Sequence, residues 1–412
     1  MNESWEIKDL GSVCHVQRGL TYSGKDTVDI SDQVVLRATN IDLGTGKLIF
    51  DELKYLREDL EIKPIYSLKK NSLLICFSSG SKSHLGKIAL VNDDYPNFYF
   101  GGFIGQINPS DKIDSKYLFY CLSSEAYKDY ISNLTDGVNI NNLKATDLKA
   151  FQIPLPPLPE QQRIVSILDR AFAAIDKAKA NAEQNLKNAK ELFESYLEGV
   201  FENGKWELKK WGELCDFVRG PFGGSLKKSV FKESGFAVYE QKHAIHDHFN
   251  QLRYFIDEEK FNEMKRFELL PGDIIMSCSG VTLGRVAVVP EGIPRGVINQ
   301  ALLKLTPKKN VSVHFIKYWL RSNIFQKIIF DYAGGAAIPN VPSAKILKEI
   351  LIPFPLLKEQ ERIVSQIEIV LSESKKLESI YQKKMDDLEE LKKSILQKAF
   401  AGELETKTLE TA

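Results

Sequence analysis

Ile153-Pro154-Leu155-Pro156-Pro157-Leu158-Pro159-Glu160-Gln161-Gln162-Arg163-Ile164-Val165-Ser166 is written a second time as Ile352-Pro353-Phe354-Pro355-Leu356-Leu357-Lys358-Glu359-Gln360-Glu361-Arg362-Ile363-Val364-Ser365. Each copy reads as a short apolar strand, a proline-locked approach and the start of a long helix. Proline fixes φ and biases its predecessor away from helix, so each helix is expected to begin only where the prolines stop. Glu160 and Glu359 then fall in a first turn, where a carboxylate suits the positive end of the helix dipole. About 40 helical residues follow each start, roughly 60 Å at the usual rise per residue.

In the first helix Ile164, Leu168, Ala171, Ile175, Ala178, Ala182, Asn185, Ala189, Leu192 and Tyr196 alternate steps of four and three. Ile363, Ile367, Val370, Ser374, Leu377, Tyr381, Lys384, Leu388, Leu391 and Ile395 do so in the second. A heptad seam sustained this far predicts a coiled coil. The Ala-rich middle of the first helix would admit a close partner backbone, and the bulkier second seam would fill the space. Two separate amphipathic helices, each lying on its own domain, are the plainer alternative.

The globular sequence before each helix is also duplicated. Trp5-Glu6-Ile7-Lys8-Asp9-Leu10-Gly11 through Arg18-Gly19 returns about 200 residues later as Trp206-Glu207-Leu208-Lys209-Lys210-Trp211-Gly212 through Arg219-Gly220. Gly86-Lys87-Ile88-Ala89-Leu90-Val91 is echoed by Gly284-Arg285-Val286-Ala287-Val288-Val289, and Gly137 through Leu143 by Gly335 through Val341. That period is too long for a solenoid. It predicts a duplicated globular unit with a helix appended to each: 1–153, helix 154–203, 204–352, helix 353–402 and a polar tail at 403–412. Strands are expected over 32–37, 72–77 and 87–91 in the first unit, and over 237–241, 273–277 and 285–289 in the second. Helices are expected over 115–131 and 312–330. The fold class is therefore α+β, of mixed rather than doubly wound type.

The chain has 412 residues, with Lys+Arg and Asp+Glu balanced at 55 each, so bulk positive charge is not how it would hold nucleic acid. Local charge is uneven, however. The long helices are rich in Glu and the polar loops in Lys and Arg. No apolar run approaches bilayer length, and Met1-Asn2-Glu3-Ser4-Trp5-Glu6 lacks the basic and apolar regions of a secretory signal. Five cysteines without metal-ligand spacing fit reduced thiols in a cytoplasm. Cys14 and Cys215, at matching places in the repeat, read as small buried hydrophobes.

Phosphate-loop, dinucleotide, nucleophile-elbow and His-Glu-x-x-His signatures are absent. His243, His246 and His248 are the nearest imitation of a metal site, but solvated or base-contacting histidines are the better reading. Pro271-Gly272-Asp273 reads as a strand-opening turn rather than part of a nuclease centre. Glycine-rich basic loops are the stronger signal: Arg18–Lys25 with Arg219–Lys228, and Ser78–Lys87 with Ser277–Arg285. Glycine lets backbone approach a phosphate, hydroxyls bond it, and Lys or Arg neutralises it. Arg37, Asn40, Gln241 and Lys242 carry donors of the type that reads base edges. They lie where the two copies differ most, as two sites of one kind with different specificities would. A solvated turn explains any one of these loops equally well.

With these features the chain resembles the specificity subunit of Type I restriction-modification systems. The resemblance is carried by Pro154–Val165 and Pro353–Val364, by Leu36-Arg37-Ala38-Thr39-Asn40-Ile41, and by Gly272-Asp273-Ile274-Ile275 with Ser279 through Arg285. It covers essentially the whole chain. It implies a non-catalytic reader of double-stranded DNA, in which two target-recognition domains each read half of a bipartite site. Two antiparallel helices would separate the domains in a pseudo-two-fold arrangement. Two methyltransferase subunits bringing S-adenosylmethionine would dock on those helices, and restriction subunits would supply ATP-driven translocation. The chain itself would hold no cofactor and no metal. Lys70-Asn71-Ser72 stands where the second copy has Pro271-Gly272-Asp273, a departure from the pattern in the first domain.

The DNA-facing candidates are Arg18, Thr21, Tyr22, Lys25, Arg37, Asn40, Ser81, Lys82, Ser83, His84 and Lys87 in the first unit. In the second they are Arg219, Phe222, Ser225, Lys227, Lys228, Gln241, Lys242, His243, Ser279, Thr282, Arg285 and Asn340. A coiled-coil scaffold with protein-binding domains is the alternative function, and a nuclease in its own right a third.

Overall fold

Strands that bury both faces are expected to be continuously apolar, and Leu73–Cys76 and Ile274–Ser277 are buried at every position. The computed structural model describes residues 5–135, 142–222, 224–333 and 339–404. The repeat at 137–141 and 335–338, Gly223 in the second basic loop, and 405–412 of the tail lie outside the described residues. Two units are formed, one from Met1–Ala182 with Lys383–Ala412 and the other from Glu183–Gln382.

The strands of unit 1 are β1 (Glu6–Asp9), β2 (Cys14–Arg18), β3 (Thr27–Val28), β4 (Gln33–Leu36), β5 (Lys54–Leu56), β6 (Leu73–Cys76), β7 (Ile88–Leu90), β8 (Phe98–Phe100), β9 (Ile104–Pro109) and β10 (Gln152–Leu155). They form one sheet in the order β2-β9-β6-β7, another in the order β3-β5-β4-β8, and a β1-β10 ribbon. The strands of unit 2 are β11 (Leu208–Lys210), β12 (Cys215–Arg219), β13 (Phe236–Tyr239), β14 (Phe255–Ile256), β15 (Ile274–Ser277), β16 (Val286–Val288), β17 (Gly296–Ile298), β18 (Leu302–Pro307) and β19 (Leu351–Pro353). They repeat the plan as β12-β18-β15-β16, β14-β13-β17 and a β11-β19 ribbon. In each unit one pair is parallel, β4 with β8 and β13 with β17. The ends of those parallel strands place the candidate site.

Around these sheets the helices of unit 1 are α1 (Leu10–Val13), α2 (Ser115–Cys121), α3 (Glu125–Thr135) and α4 (Ala145–Lys149), followed by α5 (Leu158–Asn203). Then come α6 (Trp211–Leu214), α7 (Gln241–His246), α8 (Glu258–Glu263), α9 (Val313–Arg321), α10 (Asn323–Ala333), α11 (Ala344–Glu349) and α12 (Leu357–Ala401). The single helices expected over 115–131 and 312–330 are each two helices. Ser124 and Ser322 sit at the breaks, where each hydroxyl donates to a carbonyl three residues back, Cys121 and Trp319. Such local bonding competes with helix continuation. α5 begins at Leu158, before the last of the prolines: Pro159 lies inside its first turn, where a missing N–H costs nothing.

The buried glutamine after each Glu is the pin of the helix start. Gln161 donates to Lys112 O (3.0 Å) and Pro156 O (2.8 Å) and accepts from Asp114 N (2.8 Å). Gln360 likewise donates to Pro355 O and accepts from Ser312 N, both at 2.8 Å. Asp114 and Ser312 are the N-caps of α2 and α9, so one amide joins the long helix to a domain helix in each unit. Glu160 and Glu359 pair with Arg163 and Arg362 one turn on.

Within unit 1, residues 158–182 of α5 pack antiparallel to 383–401 of α12, with Lys179–Glu389 and Asp176–Lys392 ion pairs flanking the contact. Within unit 2, Ser374 Oγ donates to Ala189 O, the close approach expected of the Ala-rich stretch. The seam departs from strict heptads. Leu192 and Leu391 are 48% and 47% exposed, and the neighbouring Phe193 and Lys392 turn inward instead. An α-helix of 3.6 residues per turn drifts from a 3.5 repeat, so a long seam must slip unless the helices supercoil to follow it. All five cysteines are buried and unbonded, and burial pushes the thiols of Cys14 and Cys215 up to about 12.

Candidate nucleic-acid interface

The loop after β2 and the loop after β12 begin on a glycine for a packing reason. A Cβ on Gly19 would strike the carbonyl of Gly101, and one on Gly220 that of Asn299. These glycines therefore serve close backbone approach rather than phosphate contact. Arg18 is exposed but engaged, donating to Leu143 O (2.9 Å) and lying 4.6 Å from the centre of the Phe77 ring. Thr21, Tyr22 and Arg37 come together around an open cavity of about 310 Å³, lined also by Gly101, Gly102 and Phe103. Lys25 is exposed in a short turn that Asp26 holds by accepting from the Ser23 N–H and hydroxyl. In unit 2, Arg219, Lys227 and Lys228 are exposed, Ser225 closes a turn to Phe222 O, and Phe222 is 92% exposed.

The turn after β4 and the turn after β13 share one geometry with different residues. Asn40 Oδ1 accepts from Arg37 N at 2.9 Å, and His243 Nδ1 accepts from Glu240 N at 2.8 Å. Asn40 spends its amide on Ile49 O and Asp51 O, and His243 Nε2 lies 3.2 Å from Gln251 O. Both side chains are fully buried, with their polar atoms engaged by backbone groups of the fold. The reason is that the backbone of the turn needs an acceptor there. Burial lowers the His243 pKa, against the raising effect of its backbone hydrogen bonds. Arg37 remains half-buried, giving Nη2–H to Glu52 O (2.8 Å). Gln241 donates to Ser279 O (2.6 Å) and Thr282 Oγ1 (3.2 Å), tying the turn to the next loop, while Lys242 pairs with Glu240 (3.3 Å).

The third loop diverges between units. Lys87 is buried and donates to Ile41 O (2.8 Å) beside His84 Nδ1 (3.2 Å), so it fastens two segments of unit 1 and leaves the candidate surface. Burial lowers its pKa, with the thiol of Cys76 and Asp42 opposing. Ser81, Lys82 and Ser83 are exposed at the tip. In unit 2 the corresponding Arg285 is exposed, and Ser277 bonds Thr282 O and Arg285 N to fix the loop. Asn340 bridges Ser279. Asp273 is buried and accepts from Leu270 N (2.9 Å), which makes Pro271-Gly272-Asp273 a turn, with Gly272 at φ +87°. Asn71, at φ +64°, does the same work in unit 1, which accounts for the departure there.

Three residues on this surface were not picked out from sequence. Phe103 and Val281 are 70% and 91% exposed at loop tips, and Glu240 begins the turn equivalent to that of Arg37. The available signal was a large apolar residue among glycines or hydroxyls, which burial rules alone do not explain.

Comparison with known proteins agrees with this duplicated plan. The profile of a family described as "Type I restriction modification DNA specificity domain" matches residues 2–187 and again 203–383. The EcoKI specificity subunit of Escherichia coli (strain K12), a Type I restriction enzyme component, is 28% identical, over 98% of this chain and 89% of its own. The StySPI specificity subunit of Salmonella potsdam is 25% identical, over 98% and 89%. Among solved structures, the HsdS subunit from Thermoanaerobacter tengcongensis shares the fold with a TM-score of 0.67 at 20% identity, over 98% of both chains. A chain from a study of complex assembly in the type I R-M system reaches 0.77 at 22% identity, over 98% and 99%. With both of its units matched, the chain belongs to the Type I restriction-modification DNA specificity family.

Proposed function

We propose that the chain is the DNA-reading subunit of a Type I restriction-modification complex, each globular unit reading one half of a bipartite site. The observation that carries this is one framework used twice with different polar groups at the same turn, Arg37 in one unit and Glu240 in the other. The exposed loops bearing Arg18, Lys25 and Lys82, and Arg219, Lys227, Lys228 and Arg285, position the duplex through phosphates, and the turns specify sequence. Exposed Leu192, Ile369, Ile380 and Leu391 on α5 and α12 support docking of the modification subunits there. Those partners bring S-adenosylmethionine, and the restriction subunits bring ATP chemistry. The complex works in the cytoplasm; among the described residues no helix is long and apolar enough to cross a membrane. Exchanging residues 1–153 for another such unit is expected to change one half of the methylated sequence only. A change in both halves, or in neither, overturns the assignment.

A further inference from the structure

Arg37 and Glu240 occupy one structural position with opposite charge. Each follows the last residue of a strand, β4 or β13, and each has its backbone N–H held by the residue three places on. The neighbouring parallel strand ends beside it: Gly101 N donates to Leu36 O, and Asn299 N to Tyr239 O, both at 2.9 Å. The position therefore faces the turn 101–103 in unit 1 and 299–301 in unit 2.

The fold engages both charges only in part: Arg37 gives one Nη2–H to Glu52 O, and Glu240 has the Lys242 ammonium beside it. Arg37 Nε is buried without an acceptor, and Arg37 lines the cavity together with Tyr22 and Phe103. Glu240 Oε2 makes no hydrogen bond, although Lys242 lies 3.3 Å away. A half-buried charge with unspent hydrogen-bonding capacity costs stability, so a purely structural turn would not select it, least of all with opposite signs in two copies. Beside Glu240, exposed Gln300 replaces the Gly102 that stands beside Arg37.

We infer that this position reads a base edge in each unit. Arg37 donates its guanidinium fork to O6 and N7 of a guanine, and Glu240 accepts from the N4 amine of a cytosine, the pairings that major-groove geometry favours. The inference rests on the DNA-reading function proposed above and names the residue that discriminates within each half-site.

The test selects binding sites from a random duplex pool with the full chain in complex with its modification subunits. Arg37→Gln is expected to lose roughly ten- to a hundredfold preference at one G·C pair in one half and to leave the other half unchanged. Glu240→Gln should do the same in the opposite half. Arg37→Lys keeps the charge but not the fork, so it should retain an intermediate preference. If Arg37→Gln weakens binding evenly across all sequences, or Arg37→Lys selects like wild type, the base-reading assignment is overturned while the DNA-reading function stands. If the wild-type complex selects no sequence at all, the function falls and takes this inference with it.

Discussion

The two globular units have the same skeleton and different surfaces, and the difference falls at the strand ends. Where backbone must be satisfied, the units agree in chemistry even when residue types change. Asn40 and His243 accept the same N–H, Asn71 and Gly272 take the same left-handed turn, and Gln161 and Gln360 pin the same helix start. Where nothing in the fold asks for a residue, they part. Glu240 stands where unit 1 has Arg37, and Asn-Gln-Ala at 299–301 stands where it has Gly-Gly-Phe at 101–103. A duplicated frame thus separates positions set by folding from positions left to recognition.

The comparison breaks most readily at the glutamine pins. Gln161→Ala or Gln360→Ala strands several buried backbone groups and is expected to cost about 3 kcal/mol, read by thermal unfolding of the full chain. If only one of the pair did so, the equivalence of the two frames would be lost. Gly19→Ala and Gly220→Ala force a Cβ onto a facing carbonyl, and each should cost about 2 kcal/mol. Lys87→Met should cost about 1 kcal/mol through the lost bond to Ile41. Arg285→Met should leave stability within about 0.5 kcal/mol while lowering the salt dependence of DNA binding by about one ion.

A pH titration sharpens the contrast between Asn40 and His243. The folded His243 pKa lies below its ordinary 6.5 because of burial, so the unfolded chain takes up the proton first. The contribution of neutral His243 is therefore present above about pH 6.5 and is lost as pH falls toward the folded pKa. Replacing it with the residue of unit 1, His243→Asn, should remove that part of the acid sensitivity, measured as the melting temperature between pH 7 and 5. The smallest effect belongs to the long helices: Leu391→Ala should change stability by less than about 0.5 kcal/mol, because the side chain points away from the seam.

Most of the architecture was legible from residues alone. The repeated proline approach located both long helices, and the apolar runs located β6, β7, β15 and β16 to within a residue or two. Helix phase was less legible beyond the first turns, since Leu192 and Leu391 satisfy a heptad that the real helices have drifted out of. Of the candidate site, the glycine-rich loops were placed as loops, but Gln241 through His246, expected as a strand end and polar loop, form α7, and the side chains were not sorted. Asn40, His243 and Lys87 look like donors in sequence and are structural in the fold.

What the chain's order of residues determined was therefore the duplication, the strand and helix segments, and which polar stretches lie between them, because periodicity and proline act locally. What only tertiary structure decided was which polar side chains are already spoken for. The acceptors that hold Asn40, His243 and Lys87 are the carbonyls of Ile49 and Asp51, of Gln251 and of Ile41. Those carbonyls come from elsewhere in the chain, the farthest 46 residues away along it. A buried polar group takes whatever partner folding brings to it, and sequence spacing carries no record of that partner.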